Sequence, residues 1–152
     1  MTHSHDAHPA GAEQALRGAS LRVTAPRLAT LEAVRHLAHA DTDTVIRTVR
    51  EQLPAVSHQA VYDSLAALSE AGLVRRIQPH GMVARYESRV GDNHHHLVCR
   101  ECGLIIDIPC VHGAAPCMQP DDAHGFAIDE AELIFWGLCA SCRAGDTAAA
   151  AS

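Results

Sequence analysis

Aromatic side chains are scarce, making up only 3% of the 152 residues. A core must therefore be built from Leu, Val, Ala and Ile, which the 47% hydrophobic content supplies. No apolar run approaches the length of roughly 20 residues needed to cross a bilayer. The N-terminal Met1-Thr-His-Ser-His-Asp has no basic-then-apolar layout of a signal peptide. A soluble cytoplasmic protein with no membrane partner is expected. Lysine is absent, so all 12 cationic side chains are arginine. No internal repeat is visible. The length suits one ordinary domain or two small interdependent ones.

The net charge of −6 argues at first sight against nucleic-acid binding. Its distribution reverses the argument. Residues 1–86 hold 9 Arg and 8 acids, whereas residues 87–152 hold 3 Arg and 10 acids. That asymmetry suits a phosphate-contacting head joined to an acidic, cation-collecting body.

What the chain does have is concentrated in Asp92-Asn-His94-His95-His96-Leu-Val-Cys99-Arg-Glu-Cys102-Gly103, where three histidines run into a Cys-x-x-Cys. A second pair, Cys139-Ala-Ser-Cys142, follows. Two such turns presenting four thiolates are a strong signal for zinc, held at a closed tetrahedral site that is structural and not catalytic. Cys110 and Cys117 read as ordinary thiols, with a redox pair as the sharper alternative. On an extended segment His94 and His96 project to one side and His95 to the other. Two imidazoles at i and i+2, with carboxylates from elsewhere, make a site for Fe(II), Mn(II) or Zn(II). Glu87 and Asp107 are candidate carboxylates and His39 a further imidazole. A metal held by His39, Glu87, His94, His96 and Asp107 would act as a switch.

Upstream, residues 1–12 read as a disordered tail and Glu13–Gly18 as a short helical piece. Thr24 caps a helix with Pro26 in its first turn and Leu28, Leu31, Val34 and Leu37 on one face, ending near residues 39–40. Asp41-Thr-Asp43 caps a second helix, with Val45, Ile46 and Val49 inward and Pro54 as its stop. Ser57 caps a third, with Val61, Leu65 and Leu68 inward and Gly72 at its end. Strands at residues 73–78 and 82–87 flank a Pro79-His80-Gly81 turn. Three capped helices and a hairpin form the layout of a winged helix-turn-helix. Residues 88–93 read as a hinge and residues 94–142 as a second domain. That domain would have strands at 97–99 and 104–108, a loop or broken helix from Cys110 to His124, and one or two strands between Phe126 and Leu138. Residues 143–152 read as a frayed tail. The fold class is α+β.

These motifs resemble the ferric uptake regulator (Fur) family of bacterial metalloregulators. The matching pieces are Leu21-Arg-Val-Thr-Ala-Pro-Arg27, Val56-Ser-His-Gln-Ala-Val-Tyr62, Leu68-Ser-Glu-Ala-Gly-Leu-Val74, the His94–Gly103 run and Cys139-x-x-Cys142. The wording around residues 74–79 and 85–94 looks most like the actinobacterial FurA/CatR branch, which represses catalase genes and is grouped with peroxide-sensing PerR-type regulators. The resemblance implies a homodimer with an N-terminal winged helix and a C-terminal α/β dimerisation domain. It implies structural zinc on Cys99, Cys102, Cys139 and Cys142. It also implies a regulatory Fe(II) or Mn(II) site on His39, Glu87, His94, His96 and Asp107. In the family, metal-loaded dimers repress transcription by binding an A/T-rich inverted repeat in double-stranded DNA. In the peroxide sensors a histidine ligand is oxidised and DNA is released.

Glu87 stands where peroxide sensors favour Asp, and Asp63 stands where many relatives carry Arg. His95 and Glu130 are candidates for a further metal site. The recognition helix is Ser57–Leu68. Tyr62 would pack on thymine methyls and Gln59 would bond adenine. Arg22 would enter the minor groove, and Arg27, Arg75 and Arg76 would meet phosphates. Two other classes compete. A zinc hydrolase or deaminase lacks its His-x-Glu signature here. A histidine-based metal buffer would show no sequence-selective DNA affinity. Within the repressor class, the alternative to peroxide response is iron sensing at metal-uptake genes.

Overall fold

The computed structural model describes residues 9–111, 118–129 and 131–149, so Cys117, Glu130, most of the expected N-terminal tail and part of the Cys110–His124 loop lie outside the described residues. The chain divides into two compact units, residues 1–90 and 91–152.

In the first unit, local sequence chemistry sets the helix starts. Helix α1 spans Pro9–Gly18 and α2 spans Ala25–His36, whose N-cap Thr24 accepts a bond from the Arg27 N–H. After the two-residue strand β1, Ala40–Asp41, helix α3 runs Thr42–Gln52 with Asp41 as its cap. Helix α4 spans His58–Glu70, with the Ser57 side chain accepting from Ala60 N–H. Each cap satisfies an N–H that the first helical turn leaves unpaired. Helix α4 stops in a left-handed turn at Gly72, φ +69°, where the Leu73 N–H returns 2.9 Å to the Leu68 carbonyl.

Strands β2, Arg75–Ile77, and β3, Arg85–Glu87, follow. They form an antiparallel sheet in the order β1-β3-β2. The inward faces of the helices supply Leu16, Leu31, Val34, Val45, Val49, Val61, Leu65 and Leu68, all fully buried, with Tyr86 of β3 closing the cluster. This aliphatic packing replaces the aromatic core that the composition forbids.

The second unit is built on β4, His94–Cys99. It pairs antiparallel with β5, Ile105–Pro109, and parallel with β6, Ile134–Gly137, so β4 is the central strand. Helix α5, Ala140–Ala149, ends the described chain. Among the described residues of this unit the buried apolar side chains are only Val98, Cys99 and Ile105. A core this small needs another staple.

Several boundaries differ from the sequence reading. Helix α2 ends at His36, because Leu37 is already extended and His39 turns left-handed at φ +54°. The hairpin strands are shorter than 73–78 and 82–87, since the turn closes late, with Met82 N–H on the Pro79 carbonyl at 3.0 Å. Strand β4 takes in all three histidines. Helix α1 starts at Pro9, inside the stretch read as tail. Helix α5 covers most of the alanine-rich segment read as frayed, because alanine favours helix most strongly. Among the described residues, no helix is long and apolar enough to cross a membrane.

The Asp41 cap yields a test. The Thr44 N–H bonds Asp41 Oδ1 at 2.8 Å and holds the carboxyl below its ordinary value of 3.8. A depressed folded pKa means that the stabilisation is present above 3.8 and is lost as pH falls through the lower folded value. Asp41→Ala is expected to cost about 1 kcal/mol near neutral pH in urea unfolding. The gap to wild type should shrink on acidification, and a pH-independent gap would show that the charge contributes nothing.

Candidate functional site

The four paired cysteines meet in the second unit. Cys99 ends β4, Cys102 follows in the turn closed by Gly103 N–H on the Cys99 carbonyl, and Cys139 and Cys142 flank the start of α5. Their sulfurs all lie within 4.8 Å of one another. Cys102 Sγ and Cys139 Sγ are 3.7 Å apart. A zinc tetrahedron with bonds of about 2.3 Å has an edge of about 3.8 Å, so the donor set fits that ion.

The protons on these sulfurs are unevenly shared. The backbone N–H groups of Cys102 and Cys139 point at Cys99 Sγ and pull its thiol down to about 6. The Cys139 and Cys102 sulfurs beside Cys142 push that thiol up to about 12. Without a cation, the sulfur facing most N–H groups carries charge and a neighbour keeps its proton. A bound cation removes that conflict. Four thiolates around one zinc would leave no open position for a water nucleophile.

In the first unit, His39 and Glu87 come together through the small sheet. Strand β1 pairs with β3 at Ala40↔Tyr86 and Asp41↔Arg85. Continuing that register by one residue sets His39 across from Glu87. His39 Nε2 lies 3.1 Å from Glu87 Oε2, and both side chains are buried. The Arg85 guanidinium holds the His39 carbonyl at 3.4 Å. The left-handed backbone of His39 is uncommon for a residue other than Gly, and such conformations collect at functional positions. The family resemblance groups His39 with Glu87, but it does not foresee the two-residue strand β1 that sets them side by side, because so short a strand has no pattern of its own.

In the second unit, the β4–β5 register pairs His96 with Asp107. His96 Nε2 is 3.5 Å and His94 Nε2 3.8 Å from Asp107 Oδ1. The two rings meet edge to face at 4.9 Å between centroids. Two nitrogen donors and a carboxylate oxygen thus converge, a set suited to a borderline divalent ion. His95 is buried as well, at an alternate position of the same strand. Asp92, which sequence reading left without a role, lies 2.8 Å from His94 Nδ1. Its signal in the sequence was an acid two residues before a histidine, just after a glycine. Cys110 is half-buried.

On α4, Tyr62 is 48% exposed, far more than an aromatic ring in a core. Gln59 is exposed, and its Nε2 donates to Asp63 Oδ1 at 2.7 Å. Arg22 is exposed, Arg27 reaches back to the Arg22 carbonyl at 2.7 Å, and Arg76 bonds Gln78 at 2.6 Å beside Arg75 on β2. One face of the first unit therefore carries a solvent-facing tyrosine and amide on a helix that ends a helix-turn-helix.

Comparison with known proteins agrees with these features. The Ferric uptake regulator family matches residues 18–135. The transcriptional regulator FurA of Mycobacterium tuberculosis is 63% identical over 139 residues, covering 91% of this chain and 94% of that protein. Ferric uptake regulation protein 2 of Mycolicibacterium fortuitum is 62% identical over 133 residues, covering 86% and 91%. The structure of the ferric uptake regulator from Francisella tularensis with iron superimposes with a TM-score of 0.67 at 25% identity, over 81% of this chain and 95% of that one. The chain belongs to the ferric uptake regulator family, whose members are metal-responsive transcription regulators and not enzymes.

Proposed function

We propose that the protein is a metal-dependent, peroxide-responsive repressor of catalase or catalase-peroxidase genes, acting as a homodimer on an A/T-rich inverted repeat. The observation that carries the reading is the pairing of buried histidines with carboxylates in both units: His39 with Glu87, and His94 and His96 with Asp107. These five residues are the proposed regulatory ligands for Fe(II) or Mn(II). Cys99, Cys102, Cys139 and Cys142 are the proposed ligands of structural zinc. Neutral imidazoles and carboxylates set this close are ligands for a cation, and binding one would make the state of each unit depend on metal supply. Ferrous iron held there would supply the reaction with peroxide that adds oxygen to a histidine ligand. The 63% identity to FurA supports placing the chain beside that regulator. Glu87 favours the second reading, an iron-sensing repressor of metal-uptake genes.

Gln59 and Tyr62 are the proposed base-reading residues, with Arg22 in the minor groove and Arg27, Arg75 and Arg76 on phosphates. Fur-family regulators are dimeric DNA-binding proteins. The proposed dimer face is the apolar side of the second sheet. Leu97 of β4 pairs with Ile106 of β5 and Phe135 of β6, so the three side chains form one row across the sheet. All three are between 42% and 48% exposed, and Leu104 and Leu138 extend the patch. A contiguous apolar face of this kind marks an interface.

The deciding experiment loads the zinc-containing protein with Fe(II) or Mn(II) and measures binding to duplexes selected from a random library, before and after a brief peroxide pulse. Peroxide response requires that only the Fe(II) form loses DNA and that the peptide spanning His94–His96 gains one oxygen. If both forms survive and binding tracks metal alone, the iron-sensing reading stands. Tyr62→Ala should lower affinity for the selected duplex about 10-fold or more, the range of a lost base contact, with zinc content unchanged. Unaltered binding would reject α4 as the reading helix. Leu97→Glu should give a monomer in light scattering, and a persistent dimer would move the interface elsewhere.

A further inference from the structure

The reading above leaves one buried-site contact without a role. Asp92 sits outside the five proposed ligands, directly after Gly91, which turns the chain with φ +80°. The turn brings the Asp92 carboxylate back over the start of β4, where Oδ1 lies 2.8 Å from Nδ1 of His94. The His94 side chain is 0% exposed and that of Asp92 43%. A carboxylate at the rim thus meets an imidazole whose ring is closed off from solvent. The opposite nitrogen, Nε2, faces Asp107 Oδ1, the same oxygen that His96 Nε2 approaches.

We propose that Asp92 is a positioning residue, which accepts a hydrogen bond from Nδ1–H of His94 and so commits that imidazole to present Nε2 to a divalent cation. The inference rests on the reading of His94 as a metal ligand. Its physical basis is the choice a neutral imidazole must make. One ring nitrogen carries the proton and the other the lone pair, and the partner of the first decides which is which. An ionised carboxylate can only accept, so it selects the tautomer with the proton on Nδ1. Its charge also makes Nε2 a stronger donor, and removing such a partner typically weakens metal binding 10- to 100-fold. Asparagine in its place keeps the size but loses the charge. Its amide N–H2 can also donate to Nδ1, which suits the wrong tautomer.

The test uses the full-length protein with its cysteine site filled by zinc, and Mn(II) as the probe. Mn(II) affinity is measured by electron paramagnetic resonance in wild type, Asp92→Asn and His94→Ala. The tautomer of His94 is read from 15N side-chain resonances in Mn-free protein. Expected are a 10- to 100-fold weaker affinity for Asp92→Asn, the range for lost carboxylate–histidine partners, and a shift of His94 away from the Nδ1–H form. Because Asp92 is exposed at the rim, the unfolding temperature should not change. Equal Mn(II) affinity in wild type and His94→Ala would sink the metal reading, and with it the proposal. If His94 matters but Asp92→Asn binds like wild type, or binds weakly with an unaltered tautomer, the positioning role is wrong and the metal reading survives.

Discussion

The pairing of β4 on both of its edges governs the chemistry of the second unit. A strand turns alternate side chains to opposite faces, so its register decides which residues meet. With His96 opposite Asp107, His94 and His96 share a face with a carboxylate. With Leu97 opposite Ile106 and Phe135, the other face becomes an apolar row. With Cys99 beside Gly137, the two cysteine pairs end up close enough to share an ion. A slip of one residue would exchange the imidazole and apolar faces and separate the sulfurs. Among the described residues of this unit the buried apolar side chains are few, which leaves the four-cysteine cluster a structural task.

The first unit solves the same problem with less backbone. Strand β1 is only two residues long, yet its pairing with β3 is what carries His39 to Glu87. The left-handed turn at His39 is the local cost of ending α2 and entering β1 within three residues. Both units therefore use antiparallel register to set a histidine against a carboxylate. Neutral imidazoles and carboxylates set this close together are donors that a divalent cation can share.

Charge follows the same division of labour. The arginines gather in the half that carries the helix-turn-helix, and the acids gather in the half that carries the cysteine cluster. Asp63 is an exception on α4, where it holds the Gln59 amide at 2.7 Å. That bond restricts how the neighbouring amide is turned.

Features that depend on neighbours in the chain were legible from the sequence: the caps Thr24, Asp41 and Ser57, the stop at Gly72, the two Cys-x-x-Cys turns, and the shared face of His94 and His96. Each rests on hydrogen bonds or periodicity within a few residues. The strand β1 that sets His39 against Glu87, the helical state of residues 140–149 and the contact between His94 and Asp92 were not legible, although the family resemblance had already grouped His39 with Glu87. A two-residue strand has no period, an alanine-rich segment has propensity but no partner until Cys139 is anchored, and a side-chain bond across a turn depends on backbone angles that composition does not encode. The sequence by itself determined the helix caps at Thr24, Asp41 and Ser57, the paired cysteines and the family. Only the tertiary structure decided which donors meet, because strand register and a left-handed turn are set by pairing between segments far apart in the chain.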